Sequence, residues 1–81
     1  MQISDLEKEL QRTYGTAEGS RVLRTVMPGI LADFLKMYKK AAAGSTVREE
    51  YRLEDGKGTI VLAAEKTGGE PVVDTAFIQG R

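Results

Sequence analysis

The sequence predicts an α+β domain, with helices in the first half of the chain and an antiparallel sheet in the second. Three observations carry this expectation. Apolar residues recur with a helical period from Leu6 to about Ala42. After Ser45 the period changes to strict alternation. Two glycine-rich clusters, Asp55-Gly56-Lys57-Gly58 and Thr67-Gly68-Gly69-Glu70, then divide the second half into three strand-length pieces. Segregated helices followed by hairpin-linked strands define the α+β class, with a sheet covered on one face.

The first helix is expected over about 4–14. Ser4 with Glu7 three residues on is a capping box, and Asp5 adds an acid where the helix dipole favours one. Ile3, Leu6, Leu10 and Tyr14 form a narrow apolar stripe, and Gly15 supplies a left-handed end. Thr16 is placed to cap a second helix over about 16–27, with Gly19 weakening its first turn. Pro28 lacks an amide proton and clashes with the carbonyl four residues back, so a break is expected near Met27. A third helix over about 28–43 then begins at the proline and ends at Gly44. Leu23, Met27, Ile30, Leu31, Phe34, Tyr38 and Ala41 share one wide face, broader than a coiled-coil seam, which suits packing on a sheet.

Strands are expected over about 46–54, 59–66 and 72–79, forming a meander in the order 1-2-3. Asp-Gly suits a type I′ hairpin. Loops centred on Asp55-Gly56 and Gly68-Gly69 set Tyr51 opposite Ile60 and Ile60 opposite Phe77. One face then holds Val47, Tyr51, Leu53, Ile60, Leu62, Ala64, Val73 and Phe77, a floor for the helices. Glu49 falls on this face and is read as a strand end in water. The other face holds Val61, Ala63, Val72, Ala76 and Ile78 beside the charged row Arg48, Glu50, Arg52 and Glu54. It is too apolar to stand wholly bare, so the first helix, another subunit or a protein partner should cover it. Pro71 marks the last strand as an edge.

The chain has 81 residues, which fits a single domain, 1–81, with a thin core. Domains this small often complete their core by self-association, so a homodimer is expected. Twelve basic residues balance twelve acidic ones, which gives no general attraction to nucleic acid or anionic membranes. The balance is uneven: the stretch 20–48 carries six bases against Asp33, and both flanks are acidic. No apolar stretch is long enough to span a bilayer, and no secretory leader is visible, so a cytoplasmic location is expected.

The residue inventory narrows the chemistry. There is no His and no Cys, hence no Ser-His-Asp triad, no thiol nucleophile and no metal ligand of either kind. Ser4, Ser20 and Ser45 sit at expected caps and turns. Glu49 and Glu50 are strand neighbours pointing to opposite faces and cannot share a proton. Gly56-Lys57-Gly58-Thr59 lacks the upstream glycines of a phosphate loop and joins two strands. No enzyme activity, cofactor or metal is therefore expected. The leading expectation is a small protein-protein interaction module: an adaptor, an inhibitor of the kind phages and mobile elements encode, or a minor subunit. Its contact residues would be Val61, Ala63, Val72, Ala76 and Ile78. The alternative is a nucleic-acid-binding regulator using a basic helix face of Arg21, Lys36, Lys39 and Lys40.

Overall fold

A computed structural model describes residues 3–80, with Ile3 and Ser4 described by backbone alone. The elements run α1 (Ile3–Tyr14), α2 (Thr16–Lys40), β1 (Thr46–Arg52), β2 (Gly58–Glu65) and β3 (Asp74–Gln79). The sheet is antiparallel in the order β1-β2-β3, so the α+β class and the meander stand as expected. The Ser4 capping box and the place of Ile3 on the stripe lie outside the described residues.

The register is the one the loop positions set. Tyr51 pairs with Ile60, Glu49 with Leu62, Ile60 with Phe77 and Leu62 with Thr75. The first hairpin differs in its turn. Leu53 N–H bonds to Gly58 O and Gly56 N–H to Leu53 O, both at 2.9 Å, which closes a four-residue loop. Gly56 alone has positive φ (73°), whereas a type I′ turn needs it at Asp55 as well. Two- and four-residue loops share the same centre, so the faces are unchanged. The strands are trimmed to 46–52, 58–65 and 74–79, and Val72 and Val73 lie ahead of β3.

Three helix boundaries depart from expectation. The break at Met27 does not occur, and one helix of 25 residues spans Thr16–Lys40. Pro28 sits on its exposed side, where water can reach the Arg24 carbonyl that has lost its donor. The core face of Leu23, Met27, Ile30, Phe34 and Tyr38 runs unbroken past it and is buried along its length. That continuous burial outweighs the local cost of the proline. At about 1.5 Å per residue the helix is about 37 Å long, nearly the 39 Å long axis of the molecule.

Secondly, Gly15 rather than Thr16 caps α2, with no side-chain cap bond. At φ 95° and ψ 161° it occupies a region essentially restricted to glycine, not the left-handed helical well. Its N–H bonds to Gln11 O and its carbonyl accepts from Gly19, both at 2.8 Å, so one residue closes α1 and opens α2. Thirdly, α2 stops at Lys40, and Ala41 is extended. The last turn is claimed by the sheet: Lys66 Nζ donates to Tyr38 O at 2.9 Å and lies 4.3 Å from the Tyr38 ring centre. Gly44 N–H then bonds to Lys66 O at 2.9 Å and leads into β1.

Both helices lie on the same sheet face. α1 packs beside α2 and over β3, and α2 packs over β1. Leu6, Leu10, Phe34, Ile60 and Leu62 are fully buried between the layers. Gly19 is where the helices meet most closely. A Cβ there would stand 2.5 Å from Gln11 Cα, so no side chain fits between the backbones. Gly19 is thus a packing requirement as well as a weak point in the first turn of α2.

Candidate functional site

The helices leave the second sheet face without a covering element. It is a three-by-three grid fixed by the register. Arg48, Ala63 and Asp74 form one row; Glu50, Val61 and Ala76 the next; Arg52, Thr59 and Ile78 the third. Alternation along each strand puts these residues on the side opposite the core. α1 covers the first face rather than this one.

The centre of the grid is apolar and its margins are charged. Val61 on the middle strand is only 7% exposed, screened by its neighbours on both sides. Ile78 is 51% exposed and Val72 is 84% exposed. Ala63 and Ala76 are half-buried. Arg48 Nη1 lies 2.9 Å from Glu50 Oε1 along the β1 margin. At one end Thr46, Ala63, Val72 and the carboxylates of Glu65, Glu70 and Asp74 line a shallow hollow of about 440 Å³. Of the five expected contact residues, the register puts Val61, Ala63, Ala76 and Ile78 on this face, and Val72, ahead of β3, lines the hollow at its end.

The four basic candidates do not form one patch. Lys36, Lys39 and Lys40 stand exposed at the end of α2. Arg21 lies 15 residues before Lys36, about 22 Å along the axis. Its guanidinium is held by Glu18 at 2.6 and 2.7 Å, which raises an already high pKa further. Asp33 comes between them.

A second concavity was not anticipated. It runs between α2 and the β1–β2 hairpin, with a volume of about 530 Å³. Val22, Val26, Ile30, Tyr51 and Leu53 form its floor, and Asp33, Glu54 and Asp55 bring carboxylates to it. Tyr14 OH donates to Asp55 Oδ1 at 2.9 Å and Lys57 Nζ lies 5.0 Å from the Tyr14 ring centre, which fixes the hairpin against the α1–α2 joint. Burial, and then the Asp55 carboxylate, push the Tyr14 hydroxyl up to about 12. Asp55 is held below the usual carboxylate range, chiefly by the Lys57 N–H that donates to its Oδ1.

Glu49 corrects the sequence reading. It is not a strand end in water: it lies mid-strand opposite Leu62, and its Oε2 is buried without a hydrogen-bond donor. Burial, and secondly the neighbouring Asp33 charge, raise its pKa.

Among the described residues no group of three or more His, Cys, Asp or Glu side chains is arranged to hold a metal ion. No described helix is long and apolar enough to cross a membrane. No protein-family model, curated protein or solved structure matches this chain.

Proposed function

We propose that this chain is a small non-enzymatic binding module that engages a protein through the uncovered face of its sheet. The observation that carries the reading is the placement of both helices on one face. An apolar centre of Val61, Ala63, Ala76 and Ile78, with Val72 at its end, is left on the other. Salt-linked and acidic groups border it, the arrangement of an apolar contact core with a polar rim. Adaptor, inhibitor and minor-subunit roles are each compatible with such a face.

Ile78→Asp tests it, because a half-exposed side chain can take a charge without opening the core. Affinity capture from the host lysate, with nuclease treatment as one arm, should recover a stoichiometric protein with the wild type and lose it with Ile78→Asp. Unchanged recovery by the variant would remove the sheet face as the contact. Recovery that collapses with nuclease would favour nucleic acid at Lys36, Lys39 and Lys40, with Arg21 apart from them.

A further inference from the structure

A six-position stripe on α2 runs beside the second groove. Val22, Val26, Gly29, Asp33, Lys36 and Lys40 recur at alternating spacings of four and three. Positions at that spacing lie along one side of a helix, where a second helix can run beside it. The stripe is polarised. Its first four positions, Val22 to Asp33, line the groove, and the groove's lining among the described residues contains carboxylates but no Lys or Arg. Its last two positions are the exposed Lys36 and Lys40, with Met37 beside them 40% exposed. The lysine end therefore complements the groove end, but on the same helix the two cannot meet.

Gly29 is the second observation. A glycine inside a helix costs roughly 0.5–1 kcal/mol relative to alanine. At Gly19 the chain itself explains the residue, because Gln11 occupies the space. At Gly29 a Cβ would meet nothing within 4 Å, and φ is not positive. Among the described residues nothing occupies the space at Gly29, and it lies mid-stripe in the groove. An absent side chain lets another backbone approach closely.

We infer that the groove receives α2 of a second copy, antiparallel, in a two-fold dimer that crosses between Gly29 and Asp33. The antiparallel arrangement sets Val22 against Lys40, Val26 against Lys36 and Gly29 against Asp33, in both directions at once. Such an interface is self-complementary, as two-fold symmetry demands. The lysine stems lie over Val22 and Val26, and the ammonium groups reach the hairpin carboxylates Glu54 and Asp55. This surface is separate from the open sheet face, so the dimer would carry two copies of that face.

The test is sedimentation equilibrium over a range of protein concentrations, with unfolding temperature as a control for folding. The wild type should dimerise, more weakly as salt is raised. Lys40→Glu and Glu54→Lys should each weaken self-association by about tenfold or more. Mixed one to one, the two variants should associate again, because each charge then meets its opposite across both halves. Gly29→Leu should weaken the dimer while raising the unfolding temperature of the monomer, a pairing that a damaged fold cannot produce. Ile78→Asp should leave the dimer intact. A wild type that stays monomeric overturns the inference, as does a mixture that fails to associate. A dimer lost with Ile78→Asp but kept with Lys40→Glu and Gly29→Leu also overturns it, and assigns self-association to the sheet face instead.

Discussion

Tyr14 and Glu49 show how single groups report on packing. The Tyr14 hydroxyl has its pKa raised from 10 to about 12, so the folded state holds its proton more tightly than the unfolded chain does. The stabilisation is complete below the unfolded value and is lost as pH rises through that window. Tyr14→Phe should lower the unfolding temperature modestly at neutral pH and abolish this alkaline decline, which thermal melts from pH 9 upward would check. Glu49 also has a raised pKa, but as an acid whose charged form the fold disfavours. Stability therefore falls as pH rises from the unfolded to the folded value, and the loss persists above it. Glu49→Gln should melt higher than the wild type at neutral pH, with the difference vanishing in acid. Asp55 works the other way, since its depressed pKa gives stability that is lost as pH falls through the folded value. A Glu49→Gln variant that melts lower than the wild type at neutral pH would show that the buried carboxylate has a partner.

Within the elements, α2 is governed by what packs against it. Gly19 is required by contact: Gly19→Ala improves helix propensity but drives a methyl into the backbone of α1. Forcing atoms into a packed contact costs about 1–3 kcal/mol, more than the propensity gain, so chemical denaturation should show a lower midpoint. The α2 pattern was legible because its core face repeats without a gap: Leu23, Met27, Ile30, Phe34 and Tyr38 are buried as projected, whereas Leu31 and Ala41 are only partly so and Gly19 joins them unprojected. The break expected at Met27 does not form because Pro28 faces solvent while Leu23 to Tyr38 are held by the core, and that burial outweighs the local penalty. The end at Lys40 was illegible because the Lys66 ammonium that claims the Tyr38 carbonyl comes from 28 residues away.

The whole molecule rests on one thin layer between helices and sheet. Phe34 is fully buried against both, and its truncation to alanine in a core of this kind costs about 3–5 kcal/mol. A small domain has only about 5–15 kcal/mol in total, so Phe34→Ala should leave a large unfolded fraction at room temperature, seen as lost helical circular dichroism. Retained cooperative melting near the wild-type temperature would show that the core has another source of support. The candidate sheet face was legible in advance because residues that alternate along a strand cannot change sides while the register holds. The α2 groove was not, since it combines a helix flank with a hairpin more than twenty residues later.

By itself the sequence determined the class, the strand order, the register and the two sheet faces. Each follows from a period or a loop parity, which act between near neighbours. Only the tertiary structure decided that α2 continues through Pro28, that α1 and α2 share one face, and that one carboxylate oxygen of Glu49 is buried within the field of Asp33. It also decided that Gly19 is filled by a neighbour while Gly29 stands open. These depend on which surfaces meet, and burial between distant segments outweighs local preference wherever the two conflict.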